Sequence, residues 1–112
     1  MKKKTKNNSK LQINLALNYG SKQEIVKAIK KINSKKLKIT EKIVTENLYT
    51  KNIPDPDILI RTGGFRRLSN YLMYNLCYTE LFFTKTLWPD FDKNELENVI
   101  KEFQNIKRNY GL

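Results

Sequence analysis

The sequence contains no histidine and only one cysteine, Cys77. These absences exclude an imidazole base, a histidine-liganded metal, an internal disulfide and a cysteine-rich zinc site. No stretch approaches the roughly 20 consecutive apolar residues of a membrane-spanning helix, and no apolar stretch follows the basic start as it would in a secretory signal. We therefore expect a cytoplasmic protein, with Cys77 as a buried and unreactive thiol among apolar neighbours.

Acidic residues are half as numerous as basic ones, and the net charge is +11. Residues 1–52 carry 14 basic and three acidic side chains, whereas residues 53–112 carry eight of each. The excess consists almost entirely of lysines in an aromatic-poor half, which is typical of solvated faces rather than of a nucleic-acid interface. A basic nucleic-acid-binding module is therefore the weakest alternative, and we expect no nucleic-acid partner.

The length of 112 residues allows one small domain. Residues 1–10 are rich in Lys, Asn and Ser and have no periodicity, so we expect a disordered basic tail. The alternation of apolar residues predicts a strand over residues 11–17. Ser21 and Glu24 have the spacing of a capping box at the start of a helix. Four apolar residues would form the inward face of that helix: Ile25, Val26, Ile29 and Ile32.

Three further helices are each opened by a side chain that can cap the first turn. They are predicted at residues 40–48 after Thr40, at 69–75 after Ser69, and at 92–111 from Asp92 to Gly111. In the last helix Glu95 would complete a second capping box. The buried stripe of that helix would consist of Leu96, Val99, Ile100 and Phe103.

Two more β-favouring runs, residues 57–61 and 78–83, predict further strands. Strands that alternate with helices predict an α/β fold with a parallel sheet. Parallel sheets need both faces covered, and three strands are few for an independent domain. We therefore predict a partial parallel sheet flanked by helices, as part of a larger α/β domain.

The loop after the second strand concentrates anion-binding chemistry. Three of the four arginines lie in residues 61–67, around Gly63 and Gly64, and Ser69 follows. Arginine forks, a hydroxyl and backbone N–H groups beside glycine suit a cluster of anionic oxygens. The loop therefore indicates a diphosphate site, although a turn with solvated arginines explains it equally well at this point.

Six stretches in a fixed order carry a family resemblance. They are Asn18-Tyr19-Gly20 with Glu24-Ile25, Asp57 to Thr62, Arg67-Leu68-Ser69-Asn70, Tyr78-x-Glu80-Leu81-x-Phe83, Leu87-Trp88-Pro89-Asp90-Phe91, and Arg108 to Gly111. Together they resemble the C-terminal half of the cis-prenyltransferases, over residues 11–112. The resemblance implies an isoprenyl transferase that condenses isopentenyl diphosphate with an allylic diphosphate, using Mg²⁺, to make a cis-polyprenyl diphosphate lipid carrier.

The resemblance also implies roles for individual residues. Arg61, Arg67, Leu68 and Ser69 correspond to the residues that bind isopentenyl diphosphate, and Glu80 corresponds to a carboxylate that places Mg²⁺. We assign Trp88, Phe91 and the aromatic pair at 82–83 to the core and to subunit packing; a place in the tunnel for the polyprenyl product is the alternative. The implied partners are a second copy or a complementing N-terminal half, with peripheral membrane contact through the lipid product.

Several positions depart from the family pattern. Phe65 stands where an acid is usual, Tyr74 where a tryptophan is usual, and Lys22 replaces an arginine. Asn109 occupies the place of the C-terminal arginine, which puts Arg108 one position early. The family's aspartate loop for the allylic diphosphate has no counterpart here, so no catalytic residue is assigned and we expect the chain alone to be inactive. A non-catalytic supporting subunit of a cis-prenyltransferase complex is the alternative.

Overall fold

This computed structural model describes residues 4–108, which contain three α-helices, two β-strands and one 3-10 turn joined by turns and irregular segments. In chain order they are α1 (Ser21–Ser34), α2 (Glu41–Thr45), β1 (Ile58–Arg61), β2 (Glu80–Phe83), the 3-10 turn Trp88–Asp90 and α3 (Lys93–Gln104). None of the helices in this range has the length and apolar composition needed to cross a bilayer.

The two strands pair in parallel, with Ile58 opposite Glu80 and Arg61 opposite Phe83. Backbone hydrogen bonds extend the ladder at both ends, from Glu80 N–H to the Asp57 carbonyl and from Thr84 N–H to the Arg61 carbonyl, each at 3.0 Å. Because parallel strands end at the same edge, the segments that follow β1 and β2 meet there. The prediction of a partial parallel sheet flanked by helices is confirmed.

The predicted strand at residues 11–17 is wrong for the described part of the chain. The segment is not a strand there, and its four alternating apolar side chains are between 73 and 83% exposed. The alternation indicates a face that fits a sheet, but a strand also needs a neighbour to accept and donate its backbone hydrogen bonds. Within residues 4–108 the sheet consists of β1 and β2 alone, so no neighbour is supplied.

The predicted capping box of α1 is also wrong. Gly20 occupies the N-cap position, and Ser21 is the first helical residue and fully buried. Glu24 does not bond back to the helix start; its side chain is 1% exposed and accepts hydrogen bonds from the Tyr19 hydroxyl and, at 2.7 Å, from the Tyr49 N–H. This carboxylate therefore joins three segments of the chain.

Two of the other predicted caps are confirmed. The Thr40 hydroxyl accepts from the Ile43 N–H at 3.2 Å, and Asp92 accepts from the Glu95 N–H at 2.9 Å. The helix after Thr40 ends at Thr45, three residues earlier than predicted, and α3 ends at Gln104. The predicted continuation of this helix is wrong over residues 105–108, which are not helical, and its predicted end at residue 111 lies outside the described residues.

The third cap, Ser69, was predicted wrongly. Residues 69–75 form turns rather than a helix, and Ser69 has a φ of 49°, whereas an N-cap residue is extended. The backbone is also left-handed at Asn70 and Leu72. The crossover between β1 and β2 is therefore built from irregular turns.

The apolar core is small because most apolar faces stay half-exposed. Only Ala28, Ile32 and Leu48 are buried apolar residues within 4–108, and three polar residues in the same range are buried as well: Ser21, Glu24 and Asn75. The predicted apolar stripes are not buried as a whole: Val26, Ile29, Leu96 and Ile100 are 39–51% exposed. Cys77, predicted as buried, is exposed. Buried polar contacts therefore carry much of the tertiary structure.

Candidate functional site

The candidate site lies where β1 and β2 end. Directly after β1, the Gly63 N–H donates to the Thr86 carbonyl at 2.8 Å and the Gly64 N–H donates to the Thr84 carbonyl at 2.9 Å. Both glycines have positive φ values, 86° and 80°, a conformation that glycine adopts without a side-chain clash. These two N–H groups are bonded within the fold, so they are not the anion-binding donors of the loop.

The segment after β2 is held in place by α3. The Glu95 carboxylate accepts from the Thr86 hydroxyl at 2.5 Å and from the Thr84 hydroxyl at 3.5 Å. Those threonines supply the carbonyl acceptors for the glycine turn. The first turn of α3 thus supports the loop that carries the arginines, a role that its capping-box spacing did not indicate.

Three of the residues assigned to substrate come together at this edge. The Arg61 guanidinium donates through Nη1 to the Arg67 carbonyl and to the Ser69 hydroxyl oxygen, the latter at 3.1 Å. Arg61 is half-buried at the end of β1, whereas Arg67 and Ser69 are exposed. Leu68, half-buried between them, accepts from the Tyr71 N–H at 3.1 Å through its carbonyl. The turn therefore wraps around Arg61.

Phe65 forms part of this cluster although sequence reasoning noted it only as a departure from the family pattern. The Arg67 guanidinium carbon lies 4.2 Å from the Phe65 ring centroid, and that of Arg61 lies 6.0 Å away. Stacking of this kind uses the flat face of a guanidinium and leaves its N–H groups, which lie in the plane, available to an anion. The cluster thus presents two cations around one aromatic ring.

Glu80 lies elsewhere on the sheet. It begins β2 opposite Ile58, three residues before the pair formed by Arg61 and Phe83. At about 3.3 Å per residue, the two ends of the strand pair are about 10 Å apart. The structure therefore does not bring Glu80 to the arginine cluster.

Metal binding at Glu80 rests on one carboxylate from this chain. Residues 4–108 contain no group of three or more His, Cys, Asp or Glu side chains that could together hold an ion. Mg²⁺ in phosphate-transfer sites is commonly bound by one or two carboxylates, with substrate oxygens and water completing its shell. The half-buried Glu80 fits as one such ligand.

Arg108 lies at the Glu80 end of the strands. Its Nη1 lies 2.6 Å from the Asp57 carboxylate, and its Nη2 donates to the Tyr78 carbonyl at 2.9 Å. Asp57 directly precedes β1 and Tyr78 lies two residues before β2, so Arg108 ties the segment after α3 to the N-terminal edge of the sheet. The rest of the predicted terminal motif, Asn109 to Gly111, lies outside the described residues.

A sequence model of the family described as undecaprenyl diphosphate synthase matches residues 1–111. Among curated proteins, an isoprenyl transferase from Oceanobacillus iheyensis is 44% identical over 96% of this chain and 46% of its own length. Another from Fusobacterium nucleatum is 43% identical over 99% of this chain and 48% of its own length. The chain therefore spans about half the length of the curated relatives it matches.

Solved structures agree with the sequence comparison. A probable undecaprenyl diphosphate synthase from Campylobacter jejuni superposes with a TM-score of 0.85 at 40% identity, covering 98% of this chain and 52% of the other. Lavandulyl diphosphate synthase from Lavandula x intermedia, in complex with dimethylallyl diphosphate, superposes with a TM-score of 0.81 at 34% identity, covering 88% and 45%.

Proposed function

This chain belongs to the undecaprenyl diphosphate synthase family of cis-prenyltransferases, and from that premise we propose that its arginine cluster binds isopentenyl diphosphate. The bound substrate would be condensed with an allylic diphosphate to extend a cis-polyprenyl diphosphate. The observation that carries the proposal is the convergence of Arg61, Arg67 and Ser69 on one edge of the sheet.

The chemistry of the cluster matches that ligand. A diphosphate presents several anionic oxygens, and guanidinium forks bind such oxygens in pairs, which lysine ammonium groups do not. The Ser69 hydroxyl adds a donor, since the oxygen that accepts from Arg61 still carries a proton to give. Leu68 would contribute the backbone of the same turn.

Mg²⁺ would be held by Glu80 with substrate oxygens and water, and it would offset the charge of a departing diphosphate. Glu80 begins β2 and Arg61 ends β1, so the two residues stand at opposite ends of the strand pair. The allylic substrate class is supported by the dimethylallyl diphosphate named with the lavandulyl relative.

The assembly is also part of the proposal. The chain would act in the cytoplasm, as a dimer or with a polypeptide equivalent to the other half of its relatives, and it would contact the membrane through the lipid product. A supporting, non-catalytic subunit is the second candidate. It is favoured by Arg108, whose contacts with Asp57 and Tyr78 lie at the far end of the strands from the arginine cluster.

The test measures isopentenyl diphosphate binding by titration calorimetry for Arg61→Ala and Arg67→Ala. A charge-assisted hydrogen bond contributes about 1.5–3 kcal/mol, so each change should weaken binding about tenfold to hundredfold. Lysine at either position should recover only part of the loss, because it cannot reproduce the fork.

Arg66→Ala is the matched control, since it removes the same charge from the same exposed loop while Arg66 lines a separate cavity with Val99 and Glu102. If Arg66→Ala weakens binding as much as Arg61→Ala does, net charge explains the affinity and the assigned site is wrong. Unchanged affinity in the Arg61 and Arg67 variants would refute it as well.

A further inference from the structure

The N-terminus of α1 is capped by a residue some fifty positions later in the chain. The N-cap residue Gly20 has no side chain to offer, and the first N–H groups of any helix lack acceptors within the helix. Asn70 supplies two acceptors: its carbonyl accepts from the Ser21 N–H and its Oδ1 from the Lys22 N–H, each at 2.8 Å. The cap of α1 thus comes from the turn that follows Ser69.

A second hydrogen bond joins the same turn to α1. The buried Ser21 hydroxyl accepts a hydrogen bond from the Met73 N–H at 3.0 Å, so α1 both donates to the turn and accepts from it. The turn needs stabilising contacts because Ser69 and Asn70 have left-handed backbone conformations, with φ values of 49° and 64°. Asparagine tolerates this left-handed region, but serine adopts it at a cost that the surrounding contacts must offset.

The absence of a side chain at Gly20 makes room for the Asn70 side chain. A Cβ at Gly20 would lie 2.8 Å from the Asn70 Nδ2, closer than such atoms approach. The backbone at Gly20 is extended, with a φ of −149°, which any residue adopts. Glycine at this position therefore serves the close approach of Asn70 rather than an unusual backbone conformation.

We propose that Asn70 is a positioning residue for the diphosphate site. The inference rests on the function proposed above. Arg61 holds the turn from the sheet side, through the Arg67 carbonyl and the Ser69 hydroxyl. Asn70 holds it from the helix side, one residue beyond Ser69. These two sets of hydrogen bonds together hold the Arg61 and Ser69 donors in a fixed arrangement toward the diphosphate.

The test uses the 112-residue chain with inorganic pyrophosphate as the probe and calorimetry as the readout. Asn70→Gly keeps the left-handed backbone accessible and removes the Oδ1 acceptor. Gly20→Ala leaves Asn70 in place and displaces its side chain. Each variant should bind pyrophosphate about twofold to tenfold more weakly, the range for one displaced neutral hydrogen bond.

A double-mutant cycle distinguishes positioning from general damage. In the Asn70→Gly background no side chain remains at position 70 for the new Cβ at position 20 to clash with. Gly20→Ala should therefore cause no further loss of affinity in that background. Fully additive losses would overturn the inference. If Asn70→Gly fails to fold, Gly20→Ala compared with wild type decides the question, and unchanged affinity in that variant overturns the inference.

Thr40→Ala is the control, because it removes the cap of α2 and touches no residue of the site. It should lower the melting temperature and leave the dissociation constant for pyrophosphate unchanged; an equal loss of affinity in this variant overturns the positioning role. If Arg61→Ala weakens binding while the Asn70 and Gly20 variants do not, the inference fails and the proposed function stands. If wild type does not bind pyrophosphate, both fail.

Discussion

Replacing Glu24 by alanine should produce a large loss of stability. The carboxylate is buried and accepts from the Tyr19 hydroxyl and from the Tyr49 N–H, which lie on either side of α1 in sequence. A hydrogen bond to a charged group contributes about 1.5–3 kcal/mol, and removing the acceptor leaves both donors without a partner. We expect Glu24→Ala to cost about 3–5 kcal/mol, a large part of the ~5–15 kcal/mol that stabilises an ordinary domain.

Glu24→Gln should cost much less, about 1 kcal/mol, because the amide oxygen can still accept from the Tyr49 N–H. Urea unfolding followed by far-UV circular dichroism measures both variants. Gln23→Ala, at an exposed position in the same helical turn, is the matched control and should shift the free energy of unfolding by less than about 0.5 kcal/mol. A Glu24→Ala midpoint equal to that of Gln23→Ala would refute the reasoning.

Two further predictions concern pH and helix capping. Burial, with the hydrogen bond to Glu24, raises the pKa of Tyr19 from 10.0 to about 12. The folded state therefore holds the phenol proton more tightly, so this stabilisation is complete below about pH 10 and is lost as the pH rises towards 12. In the wild type, the urea midpoint of unfolding should therefore fall between about pH 9 and 11. Tyr19→Phe should make this fall less steep; an equally steep fall in the variant would contradict the prediction. Asp92→Ala removes the cap of α3 and should cost about 1 kcal/mol in the same assay, whereas Asp92→Asn should cost little; equal losses for the two would count against the cap.

Local signals in the sequence were reliable where the partner of a residue lies nearby in the chain. Thr40 and Asp92 cap helices through N–H groups three residues later, and both were predicted. The parallel pairing of β1 and β2 followed from apolar runs separated by a crossover. The convergence of Arg61, Arg67 and Ser69 followed from their position in one loop and from the family resemblance.

Several of the failures concern partners that lie far away in the sequence. Ser21 has the spacing of a cap, yet its hydroxyl bonds to Met73, and Glu24 bonds to Tyr49 instead of completing the box. Local spacing cannot distinguish a helix that caps itself from one capped by a distant loop. The strand expected at residues 11–17 failed for a related reason, because a strand is defined by a neighbour that its own sequence does not specify.

Trp88 is the only tryptophan in the sequence, and it is 76% exposed, stacked on Phe91 at 6.5 Å between ring centroids. We expect its fluorescence in this state to be that of an indole in water, which would carry little information about unfolding. Emission will shift to shorter wavelength when another surface covers the 3-10 turn Trp88–Asp90 and removes the ring from water. The chain therefore carries an intrinsic optical probe of association, and no label is needed to follow it.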